Sequence, residues 1–364
     1  MNNNFSNQQI FFSLFGAIVG VGIVSIPKDA AEIGGTGGWI SILIATVLSI
    51  IIVNLITYLG YIHEKETLDQ YSELLIGKFF TKVIMAIYSV YFFFFFTFIT
   101  RIAIEIIKLS ILIETPLWAL AMLLMGVIYY ALTKGLSSIL RFVQIYSYII
   151  IVLGIGSYII MFTQGKIINI RPLLGTSNII TYFKGSIKFI VAFLGIEIIT
   201  FIPISRKNNK KILIHNSLMI FFIGIMYIVV AESCISVIGI EDIIHYNDSL
   251  IAAMRRVEVP YLQFLGRLDG IILTVWIMGI ICTVIIFAYG SFHYTTKVLK
   301  NKNEKLVALI IVLLGFVLSQ IPPTFGDVQQ IIKYEGYLGG ITMGLIPIIL
   351  LIITKVKIND NKNK

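Results

Sequence analysis

The sequence predicts an all-α integral membrane protein of about ten transmembrane helices, arranged as a five-plus-five inverted repeat in which helices 1 and 6 are broken. Three observations carry this. The 364 residues are 58% hydrophobic and 13% charged, with a mean hydropathy of +0.94, whereas a soluble domain carries about 25% charged residues. Apolar runs long enough to cross roughly 30 Å of hydrocarbon recur from one end of the chain to the other. Two of them, five runs apart, contain a glycine-led interruption followed by a proline, at Gly16–Pro27 and Gly195–Pro203.

Taken in order, the runs fall near residues 9–27, 39–62, 82–107, 116–133, 140–163, 186–205, 212–239, 262–294, 305–321 and 337–355. The N-terminus, MNNNFSNQQ, has no basic region and no small-residue cleavage site, so the first run is expected to stay as a helix. Residues 1–356 then form a single polytopic membrane domain, with repeat one near 9–163, repeat two near 186–355, and 357–364 as a cytoplasmic tail. Between spans 2 and 3, Thr67–Gln70 has the form of a capping box. Leu68, Tyr71, Leu74, Leu75 and Phe79 follow it at helical spacing, which predicts a short amphipathic helix on the cytoplasmic surface. Asn247 or Asp248 is placed to cap a second short helix, on the outer side, running through Met254 and ended by Val259-Pro260.

The net charge of +9 does not indicate nucleic acid, because the lysines sit mostly in short connections between apolar runs. The clusters Arg206–Lys211 and Lys297–Lys305 lie flush with span ends and favour both termini on the cytoplasmic side. Cys234 and Cys282 lie inside apolar runs and read as small core residues. No Ser/His/Asp constellation, phosphate-cradling loop or metal-ligand spacing occurs, so neither an enzyme nor a cofactor is expected.

A helix interrupted by Gly20 and Gly22 and stopped at Pro27 frees backbone groups that a bilayer tolerates only beside protein or a polar cavity. Opening spans 1 and 6 at one depth would aim half-helix N-termini at an anion and freed carbonyls at a cation. An amino acid offers both charges. Gly16 and Gly20 also form GxxxG, a common packing motif, and span 5 has its own GxG at Gly154 and Gly156. Glu197, at mid-span, is expensive there unless protonated, paired or facing a polar cavity; it is expected to hold the unwound segment or to meet a ligand ammonium. Glu232, in span 7, is expected to pair with a basic residue. In span 3, Thr97, Arg101 and Glu105 share a face, with Arg101 and Glu105 able to pair, and the run Tyr91–Phe98 reads as lipid-facing and core bulk. In span 8, Asp269, Trp276, Thr283 and Gly290 recur every seven residues, near one stripe. Thr283 reaches the depth of the breaks, while Arg267 and Asp269 read as an ionic clamp at the outer end.

Gly16–Pro27, the Leu68–Gly77 segment LDQYSELLIG, Gly195-Ile-Glu197, and Phe264-Leu-Gly-Arg-Leu-Asp269 followed by Trp276 resemble the spore germination permease-like family. Its members are the B subunits of nutrient germinant receptors, within the amino acid, polyamine and organocation transporter superfamily. The resemblance implies a LeuT-like fold in the spore inner membrane and a transporter-like pocket that senses a small nutrient, such as an amino acid, and starts germination. It also implies a larger membrane A subunit and a lipoprotein C subunit as partners. Carried over by position, the pocket lining is Gly20, Gly22, Ile23, Thr97, Gly195, Glu197, Thr200 and Thr283, with Phe93 and Phe287 where a more polar aromatic would serve. A proton- or sodium-coupled amino acid transporter, with Glu197 as its ion site, is the alternative, and a water or ion permeation path is a third.

Overall fold

The computed structural model describes residues 5–175, 178–246, 248–257, 268–300 and 303–362. Among these, all regular structure is helical, as hydrocarbon requires of a chain that must satisfy its own backbone groups. The first span is two helices, α1 (Asn7–Gly22) and α2 (Ile26–Gly34). A Ser6–Gln9 capping box starts α1, which runs helically through Gly20 and Gly22 and unwinds over residues 23–25. Pro27 sits in the first turn of α2, where its missing N–H would have had no partner anyway. The proline therefore starts the second half-helix rather than stopping the first, and the break lies just past the glycines.

α3 (Gly38–Ile62), α4 (Leu68–Ser110), α5 (Leu117–Lys134) and α6 (Leu136–Gln164) complete the first five spans. The Thr67–Gln70 capping box opens α4 as a short segment that turns at Gly77 (φ 80°) into the third span. The sixth span consists of α7 (Ile179–Ile190), a 3₁₀ turn over Val191–Phe193, a break at Leu194 and Gly195, and a 3₁₀ segment over Ile196–Phe201. After it come α8 (Ile212–Ile238), the short α9 (Ile240–Ile243) and α10 (Ser249–Arg255), α11 (Leu268–Leu299) and α12 (Glu304–Ser319). Asp248 precedes α10 without making a side-chain cap, and Asn247, Val259 and Pro260 lie outside the described residues. The last span is α13 (Phe325–Gly340), a π turn over Ile341–Leu345, and α14 (Ile346–Lys362). It starts behind a Thr324–Asp327 capping box, well before the expected residue 337.

Among the described residues, seven helical stretches are long and apolar enough to cross a membrane. The shorter spans are α1 and α12, of 16 residues each, and the twice-interrupted sixth. Span 1 packs against span 6, α3 against α8, α4 against α11 and α5 against α12. Helices at the first four positions of the two halves are thus neighbours. Spans 2 and 7 are joined by polar contacts, Asn54 Nδ2 donating to Ser217 Oγ at 2.7 Å and Asn216 Nδ2 to Thr57 Oγ1 at 2.9 Å. Such bonds suit helices that gain nothing from burying apolar surface against lipid. Large apolar side chains, among them Ile51, Leu123 and Val152, cover the outside.

The turn after span 6 gathers three helix ends. Arg206 donates through Nε to Tyr61 O (2.9 Å) and through Nη2 to Ile62 O (2.7 Å), the last carbonyls of α3. Asn209 Nδ2 donates to Phe5 O (3.1 Å) and Asn7 Oδ1 (2.7 Å) at the start of α1.

Candidate functional site

The two breaks lie directly on one another. A Cβ at Gly22 would stand 3.0 Å from the Ala192 side chain, and one at Gly195 would stand 3.1 Å from the Ala17 backbone and side chain. Gly195 also takes φ +120°, a conformation that side-chain-bearing residues rarely adopt. Glycine at both positions is what lets two backbones approach so closely.

Backbone carbonyls at this seam are held by side chains from spans 7 and 8 and from the short α10. Tyr227 of α8, fully buried, places its hydroxyl 3.2 Å from Ile18 O and 3.2 Å from Ala192 O. One hydroxyl thus serves both broken spans. Ser249, first residue of α10, donates to Val24 O at 2.9 Å and accepts from Lys28 N at 3.2 Å, spanning the break in the first helix. Thr283 of α11 donates to Gly16 O at 2.7 Å. Tyr227→Phe is expected to strand a buried carbonyl at a cost of about 1–3 kcal/mol, read as a lower midpoint of thermal unfolding in detergent. An unchanged midpoint would mean that both carbonyls find other partners.

Glu197 is fully buried and closes the break of span 6 on itself. Its Oε1 and Oε2 each accept from Gly195 N at 3.0 Å, and Oε1 also accepts from the Tyr91 hydroxyl at 2.6 Å. Thr200 Oγ1 donates to Glu197 O at 2.6 Å and accepts from the Tyr294 hydroxyl at 2.7 Å. Rings of α4 and α11 wall this side, with Phe95 stacked on Phe287 at 4.2 Å and Phe92 parallel to Tyr294 at 6.1 Å. Tyr91 is therefore not bulk within the aromatic run; it ties span 3 to the broken span. The sequence carried a signal for it: Tyr88, Tyr91, Phe92 and Phe95 recur at i, i+3, i+4 and i+7, one helix face. Tyr227 and Ser249 had no such signal, because what singles them out is which carbonyl each meets.

On the other side of α1, a narrow cleft runs between α6, α8, α10 and α11, lined by Gly20, Ile23, Tyr158, Met226, Leu250 and Trp276. The Trp276 indole N–H is buried there without an acceptor among the described residues. Gly20 serves packing as well as the cleft, since a Cβ on it would run into Thr283 Oγ1 and the Gly279 backbone. The two half-helices at the far end are tied by ions: Lys188 Nζ of α7 lies 2.7 Å from Asp29 Oδ1 and 3.3 Å from Glu32 Oε2, both of α2.

The structure thus brings Gly20, Gly22, Ile23, Gly195, Glu197, Thr200, Thr283 and Trp276 to the two faces of one seam. Thr97 does not join them: it donates to Phe93 O at 2.7 Å and faces Gly315 of α12. Phe93 likewise packs on Phe94 and Phe96, away from Glu197, so of the two noted aromatics only Phe287 lines this region. Arg101 and Glu105 pair at 2.7 Å, nearly buried, and Arg101 Nη1 also donates to Ser319 O at 3.0 Å. A cation there meets the negative end of α12. Arg267 lies outside the described residues, and Asp269 stands in the first turn of α11. Glu232, expected to pair with a basic residue, has no hydrogen-bond partner among the described residues.

Comparison with known proteins follows the same lines. The family model described as "Spore germination protein" matches residues 4–328. Spore germination protein YndE of Bacillus subtilis (strain 168) is 25% identical over 355 residues, covering 96% of this chain and 96% of that protein. Spore germination protein B2 of the same organism is 26% identical over 343 residues, covering 91% and 90%. Among solved structures, a Na+-coupled sialic acid symporter in a substrate-bound outward-open state superimposes with a TM-score of 0.70, over 94% of this chain and 78% of that one, at 14% identity. That likeness shows the fold, the LeuT-like five-plus-five arrangement with broken first and sixth helices. A transporter fold and these relatives mark a non-enzymatic, multi-pass membrane protein.

Proposed function

The chain belongs to the spore germination protein family, and from that membership we propose that it senses a small nutrient and triggers germination as the B subunit of a germinant receptor. It works in the spore inner membrane with both termini on the cytoplasmic, core side, beside a larger membrane A subunit and a lipoprotein C subunit. The nutrient is an amino acid. The observation that carries this reading is the seam: two broken helices packed on each other, with Glu197 holding one break and Ser249 spanning the other.

In this reading the nutrient enters from the outer side, beneath α10, into the cleft at Gly20 and Ile23. Its carboxylate takes the Trp276 indole N–H, which has no acceptor among the described residues. Its side chain meets Ile23, Met226 and Leu250. A ligand transmits a signal only by binding two arrangements of the protein with different affinity, and the arrangements here are the closed seam and one in which the half-helices separate.

A Na+- or proton-coupled amino acid transporter is the competing reading, prompted by the transporter fold and the buried Glu197. Reconstitution of the purified protein in liposomes separates the two. The sensor reading expects no concentrative uptake of radiolabelled amino acids under an imposed Na+ or proton gradient. Gradient-driven accumulation would replace sensing with transport, and a ligand-independent leak would favour a permeation path.

A further inference from the structure

α13 carries a second buried carboxyl that recognition at the cleft does not use. Glu335 is 3% exposed, and neither of its oxygens has a hydrogen-bond partner among the described residues. It stands beside the broken sixth span. A Cβ at the next residue, Gly336, would lie 3.2 Å from Val191, and one at Gly339 would fall on Leu194, the residue before Gly195. Across from it α13 packs on α4, which carries Tyr91, the donor to Glu197.

Two buried carboxyls, on elements that both pack on α4, therefore stand in opposite surroundings. Glu197 accepts from a hydroxyl and a backbone N–H, whereas Glu335 is offered no donor. A carboxyl without a partner in a membrane interior is stable only when neutral or beside a cation. α13 packs on α4, which carries Tyr88 and Tyr91, and on span 6. Val191 and Leu194 of span 6 are apolar. Lys333, Tyr334 and Tyr337 of α13 itself are exposed.

We infer that Glu335 is a proton-binding site coupled to the break of span 6 through Tyr91. In the closed seam Glu335 carries the proton. When it ionises, one proton leaves the carboxyl for water and one negative charge remains beside the Tyr91 hydroxyl. That hydroxyl has one hydrogen, so donating it to Glu335 withdraws it from Glu197 and leaves the break held by Gly195 N alone. Seam opening and proton release are thereby linked, and the linkage runs both ways.

The test is an infrared pH titration of the full chain in phosphatidylcholine nanodiscs, which requires no nutrient and so stands or falls separately from nutrient sensing. At neutral pH a component of the neutral-carboxyl band is expected that is missing in Glu335→Gln, with that of Glu232, also unpartnered among the described residues, remaining. The pH midpoint at which this band disappears is expected to move by about one unit in Tyr91→Phe, the scale of losing one neighbouring hydrogen-bonding group. A band unaltered by Glu335→Gln overturns the proton site, and an unmoved midpoint in Tyr91→Phe overturns the coupling. Should Glu335→Gln fail to assemble, dicyclohexylcarbodiimide labelling of the unmodified protein, mapped by mass spectrometry, reads the same group. That reagent adds to protonated carboxyls in apolar surroundings, so labelling at Glu335 supports the site and its absence there overturns it.

Discussion

Spores whose only copy of this chain carries Glu197→Gln are expected to need roughly ten to a hundred times more amino acid for half-maximal germination, at unchanged protein levels. The carboxylate takes three contacts, from the Tyr91 hydroxyl and twice from Gly195 N. An amide keeps one acceptor and turns an N–H₂ toward a donor. Hydrogen bonds to charged groups contribute about 1.5–3 kcal/mol each, and every 1.4 kcal/mol is a factor of about ten, which sets the range. Tyr91→Phe removes one donor and leaves the Gly195 contacts, so its shift is expected to be smaller than that of Glu197→Gln. Wild-type dose curves in both variants, across a panel of common amino acids, would remove Glu197 from the recognition machinery.

Gly195→Ala is expected to act on the fold itself, lowering the amount of assembled protein in the membrane rather than its response per molecule. The residue holds φ +120°, and a left-handed backbone costs a side-chain-bearing residue about 1–2 kcal/mol. The added methyl would also press on Ala17 and Ile18 of α1, and overpacking of this kind costs about 1–3 kcal/mol. The combined loss, on the order of 2–5 kcal/mol, is a large share of an ordinary protein's stability. It is measured by membrane immunoblot and by half-life in detergent at raised temperature. Normal abundance and half-life would mean that the two broken spans are not packed this tightly. Gly20→Val belongs with this variant and not with Glu197→Gln, because its Cβ meets Thr283 and the Gly279 backbone.

Much of this was legible beforehand, and the gaps have physical causes. Gly195-Ile-Glu197 could be read because glycine and an acid at mid-span are both costly in hydrocarbon unless they serve a purpose. Pro27 reads as a stop from sequence because proline ends one helix and begins another with equal ease; only the position of the unwound residues 23–25 distinguishes the two. Thr97 has the polarity and depth of a lining residue, yet its hydroxyl is satisfied by Phe93 O in its own helix. Tyr91, two turns away, faces the seam. Glu335 went unseen for a different reason. Lys333 and Glu335 make the start of the last span look like a connection, so the run appears to begin at residue 337, but α13 buries the acid and exposes the lysine.

The turn at Arg206 and Asn209 gives the seam a mechanical reach. The lower half of span 6 is a 3₁₀ rod over Ile196–Phe201, about 12 Å long at 2.0 Å per residue, too short to bend appreciably. After four non-helical residues it leads into Arg206 and Asn209, which are fastened to the last carbonyls of α3 and to the first residues of α1. Those three helix ends form a knot that cannot shift one strand at a time. Whatever swings the rod must re-pose this whole corner of the molecule.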